Sequence, residues 1–125
     1  MANPNIVDAT TITGKLTYIQ SVPTGSTLLL AGVANKILKI NSLIIANIDT
    51  AVPPQSADIT VLIKDSSTGN TTRSTLAKDI AVPAYATLVV ISKDTSIYLD
   101  ENDAIYISAS AASDLSATCS YEEIS

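Results

Sequence analysis

The sequence has no histidine, no tryptophan and no phenylalanine, and only one cysteine and one methionine in 125 residues. Without histidine it lacks the commonest general base, the commonest metal ligand and the usual partner of a serine or cysteine nucleophile. Most hydrolytic schemes fall with it, and so does zinc, which a single thiol cannot hold. Cys119 has no second cysteine to pair with, so the chain is not a disulfide-stapled miniprotein, and a reducing cytosol suits it. Four scattered glycines, Gly14, Gly25, Gly32 and Gly69, make no phosphate-binding loop or dinucleotide fingerprint. Lys and Arg number only seven against twelve Asp and Glu, and a net charge of −5 has the wrong sign for a phosphate backbone. No nucleic-acid partner, metal or cofactor is expected. No apolar run approaches the roughly 20 residues that cross a bilayer, and the opening residues have no basic segment leading into an apolar one. Neither anchor nor signal peptide is expected, and no membrane partner.

What the chain does have is β-branched residues. Val, Ile and Thr make up about 31% of it, and these side chains, stiff at χ1, suit a pleated, half-buried surface. With aromatics limited to five tyrosines, the core must be aliphatic. Breakers divide the chain into strands expected at Thr11–Gln20, Ser26–Ala31, Ile37–Ile48, Ala57–Asp65, Thr72–Ile80, Thr87–Lys93, Ser96–Leu99, Ala104–Ser110 and Ser116–Ile124. In the first, Ile12 and Leu16 are expected to face inward, and Gly14 to mark a bulge or close approach. Pro53-Pro54 places a loop at Asp49–Ser56. Gly69-Asn70 places a hairpin turn at Ser66–Thr71. The sequon Asn70-Thr71-Thr72 sits on that tip and is read as a turn.

About eight or nine short strands in one 125-residue chain give an all-β fold, a two-sheet antiparallel β-sandwich of jelly-roll or immunoglobulin-like type. The Cys…Trp…Cys pattern of the true immunoglobulin domain is absent. Residues 1–10, poor in strand signal, are expected to form an N-terminal arm ahead of a sandwich domain at 11–125.

Four residues stand out as candidates for an interface. Leu43–Ala46 and Leu88–Ile91 are apolar on both faces, which places such a strand either at the centre of a sheet or against another subunit, with Ile44 and Val89 facing the partner. Tyr98 and Tyr106 each sit between inward-facing aliphatics and should point outward; were their strands paired across Asp100–Asp103, the rings would meet as a contact patch or as cross-strand packing. The acidic run Asp100-Glu101-Asn102-Asp103 resembles calcium ligands or a glycosidase carboxylate pair only superficially. Its plain reading is a solvated turn with the acids pointing outward, and no catalytic residue is assigned. Cys119, in an alternating run with no basic neighbour, reads as a buried small hydrophobe.

The stretches Lys39–Asn47, Ala57–Val61, Ile80–Ala84 before Thr87–Val90, Ile97–Leu99 through Asp103, and Ser120-Tyr121-Glu122-Glu123 together resemble small virion structural proteins of tailed phages, especially cyanophages and other marine phages. The resemblance runs over nearly the whole chain from about Leu38 onward. It lies in the order of features: an Ala-Asn after a core strand, a Val-Pro turn, a Leu-x-x-x-Asp turn and a Tyr-Glu-Glu end. It implies a non-enzymatic β-sandwich subunit of the virion, assembled in the host cytoplasm. The leading expectation is a capsid decoration or cement subunit, a homo-oligomer such as a trimer, that contacts the major capsid protein or other virion proteins. The alternatives are a tail, neck or fibre component and, from another class, a carbohydrate-binding module using Tyr98 and Tyr106. A carboxylate hydrolase built on Asp100 and Asp103 is the enzymatic rival.

Overall fold

The computed structural model describes residues 5–65 and 73–125. Alternation and breakers act where the sequence places them. The strands are β1 Ile12–Ile19, β2 Thr27–Ala31, β3 Ile37–Asn47, β4 Ala57–Lys64, β5 Arg73–Val82, β6 Thr87–Ile91, β7 Ile97–Leu99, β8 Ala104–Ala109 and β9 Leu115–Ile124. The expected hairpin tip and its sequon lie outside the described residues, but the flanking strands β4 and β5 pair antiparallel as that hairpin requires.

Among the described residues nine strands form two antiparallel sheets, a β-sandwich. One runs β1-β9-β3-β6, with β7 also on β3, and the other runs β2-β8-β4-β5. Strands β6 and β7 follow the same edge of β3, the first along Leu43–Ala46 and the second along Leu38–Ile40. They are one strand broken by a single 3-10 turn, Lys93–Thr95. Within that turn Thr95 N–H donates to Ser92 O at 3.0 Å and Ser92 N–H to Thr95 Oγ1 at 3.1 Å, so the two ends of the break bond to each other. With β6 and β7 counted as one, the first strand pairs with the last, the second with the second-last, and so inward to β4 with β5. This wrapping is that of a jelly roll, and it decides between the two sandwiches expected.

The core lies between the layers. Leu38, Ile40, Leu43 and Ile45 of β3, with Leu115, Ala117 and Cys119 of β9, meet Ile59 and Val61 of β4 and Ile105 and Ile107 of β8; all are essentially inaccessible. Each buried Leu or Ile contributes about 1.5–3 kcal/mol gross from apolar burial. Strand β3 is central, flanked by β9 and β6–β7, with Leu43 and Ile45 in the core and Ile44 half-buried on the outer side of the sheet. Strand β6 is at an edge.

Two expectations for β1 fail. Ile12 and Leu16 do not face inward but are 61% and 63% exposed. Cys119 and Ala117, buried in β9, stand opposite Thr17 and Ile19, so the register turns the odd-numbered residues of β1 toward the core and the even-numbered ones to solvent. Gly14 marks neither bulge nor close approach: the register runs unbroken past it, and nothing lies within 4 Å of where a Cβ would stand. The close approach is at Gly32, where a Cβ would meet the Asp100 carbonyl oxygen at 1.9 Å. Gly32 N–H donates to Asp103 O at 2.7 Å, joining the turn after β2 to the turn after β7.

Of the expected arm, residues 5–9 make a turn in which Asp8 N–H donates to Asn5 O at 3.0 Å and Val7 N–H to Asn5 Oδ1 at 3.0 Å. Thr10 and Thr11 N–H then donate to Ser125 O, and Ser125 N–H donates back to Thr11 O.

Candidate interaction surface

Because the register fixes which side of each strand meets the core, the outer face of the first sheet follows directly. Its middle row is Tyr18, Thr118, Ile44 and Val89, each opposite the next across β1, β9, β3 and β6. On one side lies Leu16–Ser120–Ser42, and on the other Ser116–Ala46–Thr87. None of these ten side chains is charged. Tyr18 is 67% and Val89 56% exposed, while Ile44 is half-buried between its neighbours. Charge first appears beyond the Leu16 row, where Glu122 and Lys39 stand opposite one another between Gly14 and Tyr98. Tyr98 is 50% exposed at the margin of the same face.

The four candidate residues therefore divide. Ile44 and Val89 are direct cross-strand neighbours, with Tyr98 on the same face. Tyr106 is on the other side of the molecule, because β7 belongs to the first sheet and β8 to the second. The turn Asp100–Asp103 crosses the sandwich instead of closing a hairpin, so the two tyrosines do not form a patch. Tyr106 sits between Leu28 and Leu62, and the Arg73 guanidinium lies 3.8 Å above its ring centroid while Nη1 donates to Ser26 Oγ at 3.0 Å. This cation–π strap occupies the ring within the chain itself.

Comparison with known proteins leaves this surface to speak for itself. No family model, curated protein or solved structure matches the chain.

The acidic turn does not point wholly outward as expected: Asp103 is buried, and its Oδ2 accepts Asp100 N–H at 3.1 Å while Asp103 N–H donates to Asp100 O at 3.2 Å. The carboxylate shapes the turn, as Asp does when it bonds nearby backbone. Among the described residues no three acidic or thiol groups converge on a point where a metal ion would sit. Cys119 is buried as expected, and burial pushes its thiol up to about 11.

One ion-pair cluster ties β1 to the sheet. Glu123 accepts from Lys36 Nζ at 2.6 Å and from Lys15 Nζ at 3.0 Å. Hydrogen bonding from Lys36, then from Lys15, holds the Glu123 carboxyl below its usual range, and the same contact raises Lys15.

Sequence reasoning missed Leu16 and Tyr18 as members of the outer face. Their signal is the alternation in Ile12–Ile19, which does not by itself say which side meets the core. It also missed Tyr85, exposed at the Pro83–Ala86 turn with φ of 64°. Asn47 Nδ2 donates to Gln55 O and Val82 O, so the Asp49–Ser56 loop and the start of that turn share one end of the sandwich, where Val52 is also exposed.

Proposed function

We propose that this protein is a non-enzymatic structural subunit of a tailed-phage virion, a capsid decoration or cement protein. It acts by burying the outer face of its first sheet against sister subunits and the major capsid protein. The observation that supports this is the uncharged three-row surface centred on Ile44 and Val89. A solvent-facing sheet normally alternates apolar-in with polar and charged-out, whereas the centres of protein interfaces are depleted of charge. Burial of such a face is worth about 25 cal/mol per Å² gross, which supplies holding power without chemistry.

The resemblance to virion proteins points the same way. Jelly rolls serve capsids, but they also serve lectins and enzymes, so the fold carries less weight than the face. The carbohydrate-binding alternative loses its paired platform, since Tyr98 and Tyr106 lie on opposite sides and cannot stack on one sugar.

The test is cosedimentation with particles of the encoding phage assembled without this protein. The wild type is expected to pellet with particles, and Val89→Asp to lose at least about tenfold in affinity, because a buried unpaired carboxylate costs more than 1.4 kcal/mol. Wild-type protein left wholly in the supernatant would refute the reading. A tail or neck position is the second reading, supported by exposed Val52 and Tyr85 at one end of the sandwich. Antibody labelling of particles, seen at the head or at the tail, separates the two.

A further inference from the structure

Each sheet of an open sandwich ends in two edge strands, and an edge left unprotected is a template for another strand. Three of the four edges here are blunted. Strand β2 has only five residues and a register break between Leu28 and Leu30. The edge formed by β6 and β7 is broken by the 3-10 turn at Lys93–Thr95. Strand β5 carries two register breaks and a left-handed residue, Asp79, at φ of 50°. Strand β1 has none of these. Its eight residues pair with β9 without a break, it contains no proline, and among the described residues no backbone hydrogen bond reaches its outer side. Its single charge, Lys15, is already engaged by Glu123.

We propose that β1 is a homodimer seam, pairing antiparallel with β1 of a second copy about a two-fold axis centred on Leu16. The register follows from three constraints. Directly opposed residues in an antiparallel pair point to the same face, so the two-fold must fall on a residue for the two outer faces to run together. Centring on Lys15 would oppose two like charges, which is destabilising. Centring on Thr17 would leave only five strand residues of each copy opposite one another, against seven about Leu16.

In the Leu16 register Lys15 faces Thr17 of the other copy and Leu16 meets Leu16. Tyr18 lies over Gly14, where the space a side chain would fill is open. An aromatic ring laid across an edge glycine is a known way to pin strand register. Charge and shape therefore select the same alignment.

This inference deepens the self-association part of the proposed function and leaves attachment to a particle untouched. It also makes the assembly two-fold, so a closed trimer is not its product. A seam of this size falls below about 1,200 Å² in total, the range of weak specific interfaces, so the dimer should form and dissociate with concentration.

The test uses the full chain. Sedimentation equilibrium from about 1 to 500 µM is expected to show a monomer–dimer equilibrium for the wild type, spanning millimolar to micromolar Kd values. Leu16→Cys should cross-link to near completion under copper-phenanthroline oxidation, since opposed Cα atoms about 4.5–5.5 Å apart lie within disulfide reach. Wild type, whose Cys119 is buried, and Leu28→Cys, exposed on the other sheet, should not. Leu16→Lys, at an exposed site that leaves the fold intact, should weaken dimerisation at least about fivefold by setting two lysines face to face. Wild-type protein monomeric at 500 µM would overturn the seam, as would Leu16→Cys linking no faster than Leu28→Cys. A monomer that still pellets with particles would refute the seam alone, and a Leu16-linked dimer that binds no particle would refute the virion reading alone.

Discussion

Substituting Gly32 by alanine is the sharpest perturbation of this fold. The added methyl would stand 1.9 Å from the Asp100 carbonyl oxygen and 2.9 Å from its carbon, and both are main-chain atoms that cannot swing aside. To restore an ordinary contact near 3.4 Å, one turn must retreat by about 1.5 Å. That movement breaks the 2.7 Å bond from Gly32 N–H to Asp103 O. It also strains the Asp100–Asp103 turn, where Asp103 is buried. Overpacking costs about 1–3 kcal/mol and the lost hydrogen bond about 1 kcal/mol, so Gly32→Ala should destabilise the protein by about 2–4 kcal/mol. For a domain of this length the Tm should fall by about 8–15 °C. Urea denaturation followed by far-ultraviolet circular dichroism measures the change through the midpoint. The control is Gly25→Ala, where nothing lies within 4 Å. There the loss of freedom in the unfolded chain should leave stability unchanged or raise it by up to about 1 kcal/mol. A loss below about 1 kcal/mol at Gly32, or equal losses at both glycines, would refute the reasoning.

Two further predictions rest on side chains. Cys119, with its thiol pushed up to about 11 by burial, should not react with Ellman's reagent at pH 8 until the protein is unfolded in denaturant; prompt labelling of native protein would contradict the burial. Glu123, whose carboxyl is held below its usual range by Lys36 and Lys15, contributes stability that is full above the ordinary glutamate value and is lost as pH falls through its lowered native value. Glu123→Gln should therefore flatten the acid limb of a stability–pH profile without moving the neutral plateau's slope, and an unchanged acid limb would show that the cluster is fully screened.

The strands were legible in the sequence because breakers and alternation are local. Pro53-Pro54, the Val82-Pro83 turn and the runs at Ala57–Lys64 and Ala104–Ala109 each announce themselves within a few residues. What alternation does not say is which side meets the core. In Ile12–Ile19 the apolar residues Ile12, Leu16 and Tyr18 alternate cleanly with Thr13, Lys15 and Thr17, yet the inner side is the mostly polar one, because β9 is fixed by buried Cys119 and Ala117. Nor does a short turn disclose whether it joins neighbours in one sheet. Asp100–Asp103 has the length and chemistry of a hairpin loop, but it carries the chain from one layer to the other, and this separates Tyr98 from Tyr106. Of the candidate surface, Ile44 and Val89 were visible as two-sided apolar runs. Their adjacency depends on pairing between β3 and β6, forty-odd residues apart in sequence, and only the folded register supplies it.

The wrapping of the chain also governs when it can fold. The last strand, β9, is not at a margin: it lies between β1 and β3 and holds both in place. Until Leu115–Ile124 has left the ribosome, the first hundred residues have one incomplete layer, with β1 unable to find a neighbour. Such a nascent chain shows aliphatic surface and raw strand edges to its surroundings, the condition under which β proteins associate wrongly. The second layer, β2-β8-β4-β5, can pair fifteen residues sooner, since β8 ends at Ala109 and β9 at Ile124. It is therefore the natural platform on which the other closes, and a ribosome-arrested chain cut before Leu115 and followed by a linker long enough to span the exit tunnel should protect β4 and β8 from hydrogen exchange while leaving β1 open.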